Sequence, residues 1–275
     1  MKLLNKAVTP AIMVVLMMSM SGVACADDSR TNPALIDQAL KVAMVPETLE
    51  ALSRQMQAQA AQDPRMASMT PEQRGQVTKL LGTAFDVKAQ YADVAQVVAD
   101  EFNAGDLDAF IKAYSTPVAK KLNAMMIEAY NVDYKVKLQH YSEGLAKNQP
   151  PQQRIKMMAR LDELTGSSAN NAKMSLEMMG RITGIASTDP RYEQLKAKIF
   201  NSAREQSILS YLFILQNASD KELSSYLALH DDPAVARVTA LVGRALAKSM
   251  QGSLKRMMEG SVDIESKGSD SIENR

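Results

Sequence analysis

Two stretches of this 275-residue chain carry the same pattern of side chains 116 positions apart. "LDAFIKAYSTP", residues 107–117, aligns with "LSSYLALHDDP", residues 223–233. Leu107 meets Leu223, Phe110 meets Tyr226, Ile111 meets Leu227, Tyr114 meets His230 and Pro117 meets Pro233. In both, apolar or ring side chains fall at i, i+3, i+4 and i+7, one face of a two-turn helix. Each is preceded by a capping residue with an acid three positions on: Asn103 with Asp106, and Ser219 with Glu222. The upstream stretches "LIDQALKVAMVPETLEALSRQM" and "RLDELTGSSANNAKMSLEMMGRI" also correspond, each reading as two shorter helices. Between them lies "KNQPPQQ", whose adjacent prolines disfavour helix and make a stiff connector. The pattern predicts an all-α protein made of two tandem copies of a roughly five-helix unit, packed as a helical bundle or array. The first copy spans residues 27–147, the linker 148–153 and the second copy 154–259, with a Gly/Ser-rich polar tail over 260–275 expected to be disordered.

Helix punctuation supports that class. A short polar residue followed by Pro marks a helix start, because Pro lacks only an N–H that has no partner there. The chain uses this device in "TPEQ" at Thr70, "TPVA" at Thr116, "DPRY" at Asp189 and "DPAV" at Asp232. Helical periodicity then predicts one long helix over 71–102 and another over about 117–145. The second carries two apolar stripes, one with Val118, Leu122 and Met125, the other with Tyr130, Tyr134 and Tyr141. A two-striped helix is covered on two sides. "ILSYLFIL", residues 208–215, reads as a buried helix end, since no hairpin partner or Gly-rich turn lies near it.

The first stretch also resembles a family. Asp106–Leu107, the pair Phe110–Ile111, then Tyr114, Ser115 and Pro117 leading into a Lys-containing helix are similar to the bacterial domain-of-unknown-function family 2059. The likeness runs over residues 103–132 and more weakly over 219–250. It implies an exported, all-helical protein and brings no catalytic residues with it.

The N-terminus constrains the compartment. "MKLLNK" is basic, "AIMVVLMMSM" is apolar and "ACA" places small residues before "DDSR". That order predicts a secretory signal peptide over residues 1–26, cleaved after Ala26, and a periplasmic protein. Acylation of Cys25 as a lipoprotein is the alternative, although Gly22 stands where such signals place a larger aliphatic residue. Two of the 32 Lys and Arg fall in the signal, leaving 30 against 31 Asp and Glu. A net charge of −1 gives no overall attraction to nucleic acid or an anionic membrane. The single Cys lies in the signal, so the mature chain has no disulfide and depends on its core. No later segment is long and apolar enough for a transmembrane span.

Residue chemistry argues for binding over catalysis. His140 and His230 are too few for a His-built metal site, and His230 replaces Tyr114 on a core-facing stripe. An enzyme of unrecognised type needs two or more of Ser115, His140, His230, Asp231 and Glu163 to converge. Asp232 reads as an N-cap, and Asp162 with Glu163 as a solvated helix face. Five of 19 Met lie in the signal, and 11 of the other 14 cluster, many in adjacent pairs. Thioethers suit Cu(I) or Ag(I), but Met also packs irregular gaps and adaptable binding surfaces. The leading expectation is a non-catalytic exported binding or interaction protein with no cofactor and no metal. Its partner is an unknown envelope protein or a small apolar ligand. Candidate binding residues are Met125, Met126, Met174, Met178, Tyr130 and Tyr134. Tyr114, Thr116, Pro117, His230, Asp232 and Pro233 are expected to form helix corners.

Overall fold

A computed structural model describes residues 32–131, 133–145, 147–183 and 189–270, and every regular element among them is helical. The signal segment over 1–26 lies outside the described residues. Before the proline seam come α1 (Pro33–Val42), α2 (Val45–Ala61), α3 (Pro64–Ser68), α4 (Pro71–Ala84), α5 (Val87–Glu101), α6 (Ala104–Tyr114), α7 (Pro117–Ile127) and α8 (Tyr134–Leu145). After it come α9 (Gln152–Thr165), α10 (Ser167–Thr183), α11 (Pro190–Ile214), α12 (Asp220–Ala228) and α13 (Pro233–Asp270). Short 3-10 turns, Glu128–Tyr130 and Leu229–Asp231, follow α7 and α12. No helix among the described residues is long and apolar enough to cross a membrane.

The corners follow from local chemistry. Thr70 and Gln73 form a reciprocal capping box at the start of α4, and Ser219 and Glu222 form one at α12. Asp189 and Asp232 accept the backbone N–H groups of Arg191 and Ala234, each 2.8 Å away. Asn32 and Asp63, each before a Pro, cap α1 and α3 in the same way. Thr116 differs from expectation: its hydroxyl turns back to donate to the Ala113 carbonyl at 2.7 Å and caps nothing in α7. Between α11 and α12, Arg154 donates to the carbonyls of Leu215 and Ala218 and pairs with Asp220. The α9–α10 corner turns through Gly166 at φ +65, a left-handed conformation that glycine adopts without steric cost. Met44 makes the corresponding break between α1 and α2 at φ 56.

Three apolar cores hold the helices together, and all three draw on both sides of the seam. The first joins Leu40 of α1, Leu49 of α2, Val94 and Val98 of α5, and Leu107 and Phe110 of α6 to Val235, Val238, Leu241 and Ala245 of α13. The second joins Met158 and Leu161 of α9, Leu212 of α11, and Leu223 and Tyr226 of α12 to Ala119 and Leu122 of α7. So α13 completes the core of the N-terminal half, and α7 completes that of the C-terminal half. The third core lies along the far part of α13, where Ala247 and Met250 meet Leu81 and Phe85 from one side and Met174 of α10 from the other.

Several expected helices are interrupted. The 71–102 stretch breaks after Ala84, because Phe85 is buried at 1% exposure and Asp86 caps a new helix through Ala89 N–H at 2.8 Å. The 117–145 stretch ends at Ile127, passes through the 3-10 turn and restarts at Tyr134. Asn131 bonds Glu128 and Asp133 pairs with Lys137, local pairings that compete with helix continuation. Among the described residues five helices follow the seam, whereas these breaks and the short α3 divide the stretch before it into eight. In the opposite sense α13 runs on through Asp270, so the Gly/Ser-rich stretch is helical that far. Extending an existing helix requires no new nucleus, and Pro is absent from the segment.

Candidate functional site

The seam between the halves contains a cavity of about 420 Å³, within the size range of small-molecule sites. Its wall takes residues from α2, α6 and α7 on one side and from α10, α11, α12 and α13 on the other. Tyr114, Tyr130, Tyr211 and Tyr226 supply rings and phenols; Leu49, Met126, Val242 and Met250 supply apolar surface; Asn123, Asn170, Ser167 and Thr239 supply polar groups. No Asp, Glu, Lys, Arg or His side chain lines it among the described residues. Gly243 lies on the α13 wall, and a Cβ there would stand 3.2 Å from the Thr165 carbonyl, so glycine permits the close approach of α13 to the α9–α10 corner.

One wall is a network of rings. Phe110 stacks on Tyr114 with centroids 4.0 Å apart, and His230 meets both Tyr114 and Tyr226 edge-on. His230 Nδ1 lies 3.1 Å from the Tyr226 carbonyl, so this nitrogen carries the hydrogen. Nε2 is then the acceptor and takes the Tyr114 hydroxyl at 3.0 Å. The Tyr114 oxygen in turn accepts from Thr239 Oγ1 at 2.9 Å. Burial pushes the phenols of Tyr114 and Tyr226 up, Tyr226 well above its usual range. Both are neutral donors at physiological pH.

A second polar group forms the far wall. The Tyr211 hydroxyl lies 2.7 Å from Ser167 Oγ and 2.9 Å from Thr165 Oγ1, and burial pushes its pKa up to about 12. Behind it, Asp162 is buried at 3% exposure, not on a solvated face. Its carboxylate accepts from Ser168 N–H at 2.9 Å at the start of α10 and from Ser207 Oγ at 2.6 Å on α11. The corner is held by these charge-assisted bonds. In the N-terminal half Asp37 of α1 accepts the Tyr91 hydroxyl of α5 at 2.7 Å.

Two buried side-chain atoms among the described residues have no hydrogen-bond partner: Gln90 Oε1 and Asn123 Nδ2. Gln90 packs between α5 and α13, away from the cavity, with its Nε2 on Ser253 at 2.9 Å. Asn123 lines the cavity. Its Oδ1 accepts the Tyr226 hydroxyl at 2.8 Å, and its Nδ2 is buried without a partner.

Of the candidate binding residues, Met126 and Tyr130 line the cavity. Met125 packs on the second core, and Tyr134 packs on Phe213 with centroids 5.6 Å apart. Met174 is buried in the third core. The Met178 side chain lies outside the described residues. Buried methionines are thus divided between cores, Met157 and Met158 in one, Met174 and Met250 in another. Among the candidate catalytic residues only His230 is buried, at 4% exposure; Ser115, His140, Asp231 and Glu163 are exposed. Among the described residues no hydrogen bond or ion pair joins any two of these five. Tyr114 and His230 face one another at the corner, while Pro117 and Pro233 open α7 and α13. Asn123, Tyr211 and Thr239 are cavity residues that periodicity did not single out. Asn123 was readable only as a polar residue one position past Leu122 on the apolar face of α7.

The ring network has a pH signature. Burial, opposed by bonds to the Tyr226 and Leu227 backbone, holds the His230 imidazole below its ordinary range; Arg160 adds to the lowering and Asp231 opposes it. An unfolded His titrates near pH 6.5, so on acidification the unfolded chain takes up the proton first. Stability is therefore full above that pH and is lost as pH falls through about 6.5. Thermal midpoints measured between about pH 7.5 and 5.5 should fall more steeply in the wild type than in His230→Gln. Parallel curves would assign the loss elsewhere. The paired carboxylates of Asp63, Asp189 and Glu222, each lowered to about 2, lose their stabilising charge only in more acidic solution.

Compared with protein-family models, curated proteins and solved structures, the chain matches none.

Proposed function

We propose that this chain is a non-catalytic, exported binding protein that takes up a small apolar molecule between its two halves. The observation that carries the reading is the cavity of about 420 Å³, walled by rings, aliphatic side chains and amides and without a charged side chain. That volume is roughly fourteen waters at about 30 Å³ each, enough for a compact organic molecule. The export reading rests on the basic, apolar and small-residue order of residues 1–26. Cleavage follows Ala26, with acylation of Cys25 as the alternative. The likeness of residues 103–132 to the domain-of-unknown-function family 2059 belongs to the same reading.

Internal duplication is part of the proposal, because it gives the cavity an origin at the joint of two copies. Positions 116 apart stand in matching contacts. Asp106 pairs with Arg237 at 2.7 Å, and Glu222 pairs with Lys121 at 2.6 Å. The second pair is the first with its halves exchanged, since 222 and 237 lie 116 beyond 106 and 121. Tyr114 and His230, also 116 apart, bond to each other, as matched positions do beside a two-fold axis. Asp37 holds Tyr91 on α5 and Asp162 holds Ser207 on α11, where 91 and 207 again differ by 116.

The test is titration of purified protein with the neutral fluorophore N-phenylnaphthylamine. One site per chain with micromolar affinity is expected. Ala129→Trp, which places an indole in the cavity wall, should weaken it by about ten-fold or more. Absence of saturable binding, or a variant that binds unchanged, overturns the reading.

A further inference from the structure

We propose that the molecule taken up in the cavity carries an uncharged secondary amide, which Gln55 of α2 and Asn171 of α10 hold from opposite sides while its apolar body covers the wall between them. The proposal rests on reading the cavity as a binding site and adds the chemistry of its occupant.

The clamp follows from where the two carboxamides stand. Wall residues recur in pairs 116 positions apart: Leu49 with Thr165, Asn123 with Thr239, Met126 with Val242, and Gln55 with Asn171. Of these four pairs, Gln55 and Asn171 alone carry the same functional group. Each stands on the helix face that lines the cavity. Thr48, Leu52 and Gln55 fall at i, i+4 and i+7 of α2, and Ser167 and Asn171 at i and i+4 of α10. The two helices flank one stretch of α13: Leu52 and Met56 of α2 and Met174 of α10 pack in the core built on Ala247 and Met250, which also line the cavity. Packed helix axes lie about 8–10 Å apart, so side chains of two helices that flank a third bound a cleft of molecular width.

Both groups are reachable and unengaged. Gln55 is half-buried and Asn171 exposed, and neither side chain has a hydrogen-bond partner among the described residues. The buried phenols, by contrast, are taken: Tyr226 by Asn123, Tyr114 by His230 and Thr239, Tyr211 by Thr165 and Ser167. A carboxamide donates through its nitrogen and accepts through its oxygen. A planar trans amide points its carbonyl and its N–H in opposite directions, so one meets Gln55 and the other Asn171. An ionised group would meet no opposite charge on this wall. Half-buried Leu52, Met126, Ile127, Tyr130 and Leu246 keep surface for the apolar body of the molecule to cover.

Three probes of equal length separate the terms: N-propylbutanamide, the ester propyl butanoate, which keeps the carbonyl and loses the N–H, and octane. Each competes against N-phenylnaphthylamine on the full chain, with the fluorophore's own affinity measured for every variant. Gln55→Met with Asn171→Leu removes both carboxamides at nearly constant shape, at positions outside the buried cores. In this double variant the amide should lose about ten-fold in affinity, the ester about three-fold and octane less than two-fold. Each single change should cost the amide about three-fold. In the wild type, the isotope-labelled side-chain amides of Gln55 and Asn171 should both move on adding N-propylbutanamide, and neither on adding octane. Equal losses for amide and octane, or side-chain amides unmoved by N-propylbutanamide, overturn the clamp. An ester that loses as much as the amide overturns the choice of a secondary amide. If the fluorophore and all three probes fail to bind the wild type, the cavity itself is not a binding site, a result distinct from failure of the clamp alone.

Discussion

Leu107→Ala is expected to lower folding stability by about 2–5 kcal/mol and to do so in a single transition. Leu107 has no exposed surface and sits where α6 meets α1, α5 and α13. The cost combines the lost transfer of its methyl groups from water with the void left behind. Against a typical total of about 5–15 kcal/mol, that is a large share. Cooperativity is the more informative part. The first core contains Val235 and Val238 from the second half, so loosening α6 also loosens α13, which runs on into the third core beside Met174. Denaturation followed by far-ultraviolet circular dichroism and by tyrosine fluorescence should give coincident curves. A second, unshifted transition would mean that the C-terminal half unfolds on its own.

The larger effect is expected from separating the halves. Residues 27–147 expressed alone should not fold as a monomer. They lack α13 and with it Val235, Val238, Leu241, Val242 and Ala245, all buried in the first core. At about 1.5–3 kcal/mol for each fully buried aliphatic side chain, their loss matches the whole stability of a domain. The fragment still carries α7, whose Ala119 and Leu122 fill the second core. Sedimentation and circular dichroism should therefore find it either unfolded or paired with a second copy that supplies α7 in the place of α13. Adding residues 148–270 should restore helix content and a one-to-one complex. A stable, folded monomer of the fragment would show that the exchange of helices is not needed for stability.

The helices and their starts were legible because they are written locally. Pro after Thr or Asp, and Ser219 with Glu222, act within one turn of chain, and α4, α11, α12 and α13 begin where those signals stand. The buried face of α6 was legible for the same reason: Leu107, Phe110 and Tyr114 follow helical spacing and all are buried. The breaks at Phe85 and Asn131 were not. There the apolar stripe continues across the break, and what ends the helix is a cap and a tertiary anchor that spacing does not encode. Asp162 was misread because acidity alone suggests solvent, whereas Ser168 and Ser207, the donors that make its burial tolerable, lie 6 and 45 residues away. The cavity was legible only as a joint between similar stretches. Asn123 on its wall depends on Tyr226, 103 positions distant, to orient it.

The reciprocal cores change what the peptide link through Pro150 and Pro151 is for. Each half is finished by a helix from the other, so the halves are held together by packing. The link is a tether that sets their effective concentration. It converts an association that would depend on how much protein is present into one that does not, and it fixes the pairing of two unlike partners. That keeps the Tyr114–Thr239 side of the cavity wall different from the Asn123–Tyr226 side. A pair of identical units would line the cavity with the same groups twice; the joined chain lines it with each of them once.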